Sequence, residues 1–439
     1  LSVIQALCAD AGLLPSPDGE AAAKRRRRAG ESGGADAAAG PDDSASLYVA
    51  VYELLFGDGG CDDDGVAAQH AAALRAALQR RLRSAGTTSP AQLLPAHVAA
   101  ASAAAASRSR CVRVNALRCT PEDALASLTA SLGAGSVTRD ALLPDVLHLP
   151  PGTDLRSHAL TRSGALILQG RASCLAAHCL APQPGWTVVD ACAAPGNKTT
   201  HCAALMAGRG RVFAFDASAP RLQRLIAASR AAGAEGVITA RCADFLALDP
   251  AQPPLSRAHA VLLDPSCSGS GTGVTRGDAL LPSAADAEQE AAGPRVAALA
   301  RFQLAALRHA LRCPSALRVT YSTCSVHVAE NEGVVAAALP HAIAAGFTLA
   351  PALPAWPRRG VAGGVAGLAQ AQAACLLRAD PLLDDCEGFF VALFVRNSPP
   401  GEAKQAPVQT VPQQQQAPPR WVGGAGKQRK GKRSRPLFA

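Results

Sequence analysis

At 439 residues, 49% of them hydrophobic, the chain is long enough for two or three domains and a large core, and no run of about eighteen apolar residues is free of charges or turn formers, which excludes a membrane-spanning helix. The net charge of +9 is unevenly placed: residues 401–439 carry +7 and Lys24–Arg28 carry +5, leaving the remainder at −3. A uniformly basic folded core is therefore excluded, and any nucleic-acid affinity must come from local patches or from the charged runs.

Residues 1–110 read as a helical region. The chain begins inside an apolar helical pattern, so its start is expected to be truncated. Leu47–Phe56 and 66–83 carry apolar residues at helical spacing, Leu74, Leu78 and Leu82 in the second. Between them, about 15–45 is rich in Gly, Asp and Ser and holds the Arg run, which predicts a disordered insertion. Cys111–Arg118 alternates like a strand, and Thr120-Pro-Glu-Asp123 starts a helix with an N-cap and Pro at its first position. Residues 111–160 are expected to form a small α/β unit.

From 161 to 396 the pattern is strand, Gly-containing turn and helix, repeated. Strands are expected at 187–191, 211–216, 237–241, 259–264, 316–322 and 388–395. That alternation predicts an α/β fold with a parallel, doubly wound sheet. From 397 the chain turns to Pro, Gln, Gly and Lys/Arg, which predicts a disordered basic tail.

The fourteen cysteines are 3% of the chain, too sparse for a disulfide scaffold, and none is spaced Cys-x-x-Cys, so the usual zinc and thioredoxin signatures are missing. Most are expected to be small core residues of a reduced protein. Two stand out. Cys267, in Asp264-Pro-Ser-Cys-Ser-Gly-Ser-Gly271, and Cys324, in Tyr321-Ser-Thr-Cys-Ser-Val326, each follow an apolar strand and precede small residues. In an open α/β sheet the chemistry lies beyond the carboxyl ends of the strands, so both sulfurs should face one crevice. Covalent catalysis, redox exchange and metal binding are the three chemistries open to such a pair.

Thr187–Thr200 is a strand that runs through Cys192, Ala193, Ala194, Pro195 and Gly196 into a helix starting at Asn197 and Lys198. It lacks the Gly-x-Gly-x-x-Gly of a dinucleotide fold, and Asn197 separates Gly196 from Lys198, so it is no phosphate loop. An adenosyl cofactor with a sulfonium needs no phosphate cradle and remains. Asp216 ends the second strand, 26 positions after Asp190, where it can accept from both ribose hydroxyls. Asp244 follows the third strand and can reach an adenine amino group. For both, a helix N-cap is the plainer alternative.

The three segments around Cys192, Cys267 and Cys324, with Glu330-Asn-Glu332 after the last, resemble the Fmu/Nop/Sun family of RNA cytosine-5 methyltransferases in order and spacing. Tyr48–Gly57, Leu166–Cys174, Leu349–Gly360 and Gly388–Ala392 resemble its fifth Sun-domain branch, whose members act on large-subunit ribosomal RNA. The resemblance covers about 45–396. It departs from many members in having Ser266 where they have a second Pro, and in a long Ala/Gly-rich linker over 268–300.

That resemblance implies a Rossmann-like class I methyltransferase sheet with a small α/β domain facing RNA and S-adenosyl-L-methionine as cofactor. It implies that Cys324 attacks C6 of cytosine and that Cys267 serves product release. DNA enzymes of this chemistry lack the second cysteine, so Cys324 argues for RNA, with transfer RNA as the alternative target and a catalytically silent ribosome-assembly scaffold as the alternative role. Lys198 is the expected charge beside the Cys324 thiolate, and Asp264 the expected partner of the cytosine edge. Cys192–Lys198, Asp216, Arg221, Asp244 and Asp264 are the expected cofactor contacts. Expected partners are large-subunit ribosomal RNA or a pre-ribosomal particle, with no membrane and no metal, for a monomer in the nucleus or nucleolus.

Arg113 and Asn115 read equally as RNA-facing groups or as solvated polar residues of an edge strand. His148, His158, His178 and His201 are expected to be structural or exposed, and Trp186 and Trp356 to be packing anchors. The basic runs at 24–28 and 427–435 read as solvated segments with an import or weak RNA-binding role.

Overall fold

The computed structural model describes residues 2–13, 66–93, 107–272, 293–381 and 383–396, together with Leu47, Tyr48, Ala50, Val51, Leu54 and Leu55. The expected insertion at 15–45, the middle of the 268–300 linker and the basic tail lie outside them.

Near the N-terminus, α1 (Ser2–Asp10) packs on α2 (Ala71–Ser84). Leu74, Leu78 and Leu82 are the buried stripe, as their spacing predicts. A four-stranded antiparallel sheet follows, in the order β2-β3-β1-β4, from β1 (Arg110–Val114), β2 (Thr138–Arg139), β3 (Val146–Leu149) and β4 (Leu166–Ile167). Helix α3 (Pro121–Leu132) covers one face through Ala124 and Leu128, and the Thr120 side chain caps it by accepting from the Asp123 N–H at 3.1 Å. Because β4 pairs with β1, this unit runs past the expected boundary at 160.

The large sheet has the order β10-β12-β9-β8-β5-β6-β7, with β11 also on β12. Its strands are β5 (Thr187–Asp190), β6 (Arg211–Asp216), β7 (Ile238–Cys242), β8 (Ala260–Leu263), β9 (Arg318–Thr323), β10 (Phe347–Ala350), β11 (Leu377–Ala379) and β12 (Phe389–Arg396). All six expected strands are present. The sheet is not wholly parallel, however: β5–β9 are parallel, β12 runs antiparallel to β9, and β10 and β11 share the outer edge of β12. The last two were not expected, because short edge strands carry little periodic signal.

Alternation along the strands builds the two faces. Val188, Val212, Ala260 and Leu262 pack on one face with α4 (Arg171–Leu180), α5 (Asn197–Leu205) and α6 (Ala219–Ala232). Val189, Phe215, Val261, Leu263 and Tyr321 pack on the other with α7 (Pro294–Ala310) and α8 (Glu332–Ala344). The strand order reverses between β5 and β8, the switch point at which ligands bind in open α/β sheets.

Arg113 and Asn115 correct the expectation: both are fully buried. The second face of β1 packs on the large sheet's helices rather than facing water or RNA. There Arg113 donates to Gln169 Oε1 at 2.8 Å and to Thr200 Oγ1 at 3.1 Å, and Asn115 Nδ2 donates to the Gly164 and Ala232 carbonyls, both at 2.8 Å. The small sheet is thus bolted to the large one, and the described residues belong to one compact unit.

Trp356 and Trp186 are packing residues as expected. Trp356 is buried under the Arg171 guanidinium with its Nε1 donating to the Arg378 carbonyl, and Trp186 stacks on His259. The cysteines are less core-bound than expected. Six of the thirteen described are buried, and none is in a disulfide.

Candidate active site

The Cys267 and Cys324 sulfurs lie 3.2 Å apart, beyond the ends of β8 and β9. They share a proton unequally. The hydrogen bond from Cys267 is the largest influence holding the Cys324 thiol below its ordinary pKa, against burial and the Asp264 charge, with Lys198 a smaller help. The same contact, together with burial, pushes Cys267 far up. The two shifts run in opposite directions, which fits Cys267 as the S–H donor and Cys324 as the sulfur that ionises. Lys198 is a charge near Cys324 as expected, but the Cys267 contact is the larger influence.

Lys198, at the start of α5, reaches across the switch point to Asp264 Oδ2 at 2.8 Å. Burial would lower its pKa, but the Asp264 carboxylate outweighs burial and raises it. Asp264 Oδ1 accepts from Ser322 Oγ at 2.6 Å, and the Phe389 ring lies 5.3 Å from the Lys198 ammonium. The sulfurs are within the reach a redox pair would also need, so the surroundings decide between the chemistries. Those surroundings are the Lys198–Asp264 ion pair and a cavity at the neighbouring strand ends lined by Asp216 and Asp244.

Sequence reasoning gave no role to the network that holds the two sulfurs together. Glu330, fully buried, accepts from the Ser268 N–H at 2.9 Å, from Ser268 Oγ at 2.5 Å and from Gln303 Nε2 at 2.9 Å. Burial would raise its pKa; the hydrogen bonds from Ser268, Ser325 and Gln303 outweigh it and keep it below the usual range. Asn331 accepts from Thr323 Oγ1 at 2.5 Å and donates to the Ser325 carbonyl at 2.8 Å. Glu332 pairs with Arg378 through two contacts of 2.6 Å. The Glu-Asn-Glu run ties the residue after each cysteine to one point, and its only sequence signal was the family resemblance. Gln303 gave none.

The loop 192–196 is held against β6. Ala193 N–H donates to the Phe215 carbonyl at 2.8 Å and Ala194 N–H to Asp216 Oδ2 at 3.1 Å, while Arg221 Nη2 donates to the Ala194 carbonyl at 2.6 Å. Gly196 turns the chain into α5 at φ +106°, with Leu225 3.1 Å from where a Cβ would lie, so only glycine suits this turn. Below it, Asp190 accepts from Thr199 Oγ1 at 2.7 Å, and burial pushes its carboxyl up to about 7.

A cavity of about 100 Å3 opens at the strand ends, lined by Cys192, Asp216, Arg221, Asp244, Ser266 and Phe302. Asp216 is no helix cap: each oxygen takes one backbone N–H, from Ala194 and from Ser218 at 2.9 Å, leaving acceptor capacity on both. Asp244 does cap a short turn, accepting from the Leu246 N–H at 3.0 Å, and lines the cavity as well. Burial pushes the Cys192 thiol up to about 12, so it stays neutral. An acid at a strand end, apolar walls and a loop with no phosphate cradle fit an adenosyl group. Ser266, Phe302, Phe245 and Leu246 of this lining were not foreseen.

Fold and site together define a class I methyltransferase with a two-cysteine centre. Residues 177–395 match the model of the 16S rRNA methyltransferase RsmB/F family, and 126–169 match the ferredoxin-like domain of NOL1/NOP2/Sun domain family member 5. The 25S rRNA (cytosine-C(5))-methyltransferase NSUN5 of Arabidopsis thaliana is 41% identical over 80% of this chain and 60% of its own length. The 28S rRNA (cytosine-C(5))-methyltransferase of Mus musculus is 40% identical over 79% of this chain and 76% of its own length. A solved methyltransferase homologue from Pyrococcus horikoshii, 23% identical, shares the fold with a TM-score of 0.53 over 80% of this chain and 95% of its own. The chain belongs to the NOL1/NOP2/Sun family, in the branch of member 5. It spans 60% of the Arabidopsis relative.

Proposed function

We propose that this chain is an S-adenosyl-L-methionine-dependent RNA cytosine-5 methyltransferase acting on large-subunit ribosomal RNA. One observation carries the chemistry: two cysteine sulfurs 3.2 Å apart at the strand ends, beside a Lys–Asp pair and the cofactor-type cavity. The target is supported by the names of the Arabidopsis and mouse relatives.

C5 of cytosine is a weak nucleophile. Cys324 thiolate adds to C6, forming an S–C6 bond and moving the C5–C6 electron pair onto C5. Bound S-adenosylmethionine supplies an electrophilic methyl group for that carbon. Asp264, held by Lys198 and Ser322, accepts from the cytosine amino group and fixes the ring over the sulfur. Water entering the crevice takes the C5 proton, and the electron pair of the broken C–H bond re-forms the C5–C6 double bond and expels Cys324 as thiolate. Cys267 assists this release by returning its S–H to the departing sulfur. The base must leave its stack to enter the crevice. Asp216, Asp244 and the 192–196 loop hold the cofactor. A nuclear or nucleolar location follows from the ribosomal target.

The test is methylation of in vitro-transcribed large-subunit ribosomal RNA and of transfer RNA, with digestion and mass spectrometry for 5-methylcytidine. The expected product appears in the ribosomal RNA. Product in transfer RNA alone would redirect the target. Cofactor binding with no product, also on pre-ribosomal particles from cells lacking the enzyme, would leave a scaffold. On the same reading, Asp216→Ala should weaken S-adenosylmethionine binding by about tenfold to a hundredfold, since hydrogen bonds to a charged group contribute about 1.5–3 kcal/mol. Calorimetric titration checks it, and unchanged affinity would remove Asp216 from the cofactor site.

A further inference from the structure

A cleft of about 530 Å3 opens where the small sheet meets the start of β12, lined among others by Arg108, Arg110, Arg156, Gln169, Gly170 and Glu387. It abuts the catalytic crevice. Gly388, next to Glu387, donates its N–H to the Gly271 carbonyl at 2.9 Å, and Gly271 donates to the Cys324 carbonyl at 2.9 Å. Phe389, one residue further, is the ring beside Lys198.

Several charged groups of the lining are committed elsewhere. Arg171 is held by Asp140 and the Asp384 carbonyl and covers Trp356. Asp385 accepts from the Ser109 N–H and hydroxyl, and Asp154 accepts from the Arg156 backbone N–H at 2.9 Å. Arg108 spends Nη2 on the Pro381 carbonyl at 2.8 Å, and its Nη1 is buried, so it offers the cleft no free donor. Arg110 and Arg156 are exposed, and their side chains form no hydrogen bond or ion pair among the described residues. The Glu387 carboxylate is likewise unpaired there, and it sits over Gly170, where a Cβ would come within 2.8 Å of its Oε2.

We propose that this cleft holds the single-stranded RNA flanking the target cytidine. Arg110 and Arg156 take backbone phosphates, and Glu387 accepts from an amino or imino N–H of a neighbouring base. The signs require this division. A carboxylate facing phosphates would repel them, while one facing a base edge is a hydrogen-bond acceptor where donors are presented. The assignment rests on RNA being the substrate. It replaces Arg113 and Asn115, which are buried, by groups on the open side of the same unit.

The test uses the full chain and in vitro-transcribed large-subunit ribosomal RNA. The double variant Arg110→Glu/Arg156→Glu should raise KM for RNA at least tenfold with a much smaller change in kcat, and leave the Kd for S-adenosylmethionine unchanged. The slope of log binding constant against log salt should fall by about 1.4, since each lost single-strand phosphate contact removes about 0.7. Arg110→Gln/Arg156→Gln, with the same melting temperature as the parent, should move KM the same way by less. Glu387→Gln should weaken RNA binding several-fold with the salt slope unchanged. An unaltered slope and KM in the double variant would overturn the phosphate assignment. Tighter RNA binding by Glu387→Gln would overturn the base contact. A parent protein that methylates no RNA would sink the functional reading instead, and the binding slopes, which need no turnover, would still judge the cleft.

Discussion

Cys267→Ala should accumulate a covalent protein–RNA adduct that survives denaturing gel electrophoresis, whereas Cys324→Ala should form none and lose methyl transfer entirely. The asymmetry follows from the shared proton. In the proposed mechanism Cys324, whose pKa is lowered, makes the S–C6 bond, and Cys267, whose pKa is raised, assists its release, so loss of Cys267 strands the adduct. A second consequence has a definite sign. The Cys267 hydrogen bond is the largest influence lowering Cys324, so in Cys267→Ala the Cys324 pKa rises towards or above the free-thiol value of about 8.5. Adduct formation by the variant should then increase as pH rises from 7 to 9, while the parent's acid limb lies at lower pH. Neither variant should change S-adenosylmethionine affinity by more than about twofold, because neither sulfur lines the cofactor cavity. Turnover by Cys324→Ala, or an adduct from it and none from Cys267→Ala, would reverse the roles or end the mechanism.

The centre of the site was legible because its parts are local in sequence. An apolar strand, a small-residue turn and a reactive side chain are one short segment each, and the rule that such segments meet at the strand ends needs no tertiary detail. The Cys267–Cys324 contact and the cavity flanked by Asp216 and Asp244 follow from that rule, whereas Lys198 and Asp264 were marked by the family resemblance and their pairing was not expected. What joins the segments was less legible. Gln303 reaches the site from α7, on the far side of a segment outside the described residues, and its side chain touches both Glu330 and the Ser266 carbonyl. Nothing in its neighbourhood in sequence marks it.

The error at Arg113 and Asn115 has a physical lesson. Period-two alternation says that two faces differ, not that the polar face is wet. The polar face of β1 meets α4 and α5, where Arg113 donates to a glutamine and a threonine with its Nη1 left unpaired, and Asn115, just past the strand, donates to two backbone carbonyls. The antiparallel course of β12 was equally hidden. A strand buried on both faces reads the same in either direction, and β9 accepts β12 over Thr323–Arg318 in reverse register. That reversal has a functional consequence. It brings the start of β12, with Glu387, Gly388 and Phe389, to the catalytic end of the sheet rather than to the opposite one.

Asp145→Ala should destabilise the protein by about 3–5 kcal/mol, the cost of removing one partner from a buried charged cluster. Asp145 lies in the small unit, and its two oxygens accept from His178 Nε2 on α4 at 2.7 Å and from His201 Nε2 on α5 at 2.8 Å. Burial would raise its pKa, but the two histidine hydrogen bonds outweigh it and hold the carboxyl well below the usual range. His201, fully buried, is pushed down to about 3 by burial first and by Arg113 second, so it is neutral at pH 7 and donates Nε2–H. These hydrogen bonds account for the cluster, although its ligand-type atoms lie within 4.8 Å of one another. Removing the carboxylate leaves the Arg113 guanidinium, itself fully buried, without the anion that favours its charge. Because the folded-state pKa of Asp145 is depressed, its contribution is present above the unfolded value of about 3.9 and is lost as pH falls below it. The gap between parent and variant in denaturant unfolding should therefore be full at pH 7 and shrink below pH 4. Asp145→Asn, which keeps an acceptor, should cost less than the alanine. A difference under about 1 kcal/mol at pH 7 for Asp145→Ala would mean that the small sheet is held to the large one by its apolar contacts and the Arg113 and Asn115 hydrogen bonds, and that the Asp145 cluster contributes specificity of docking rather than stability.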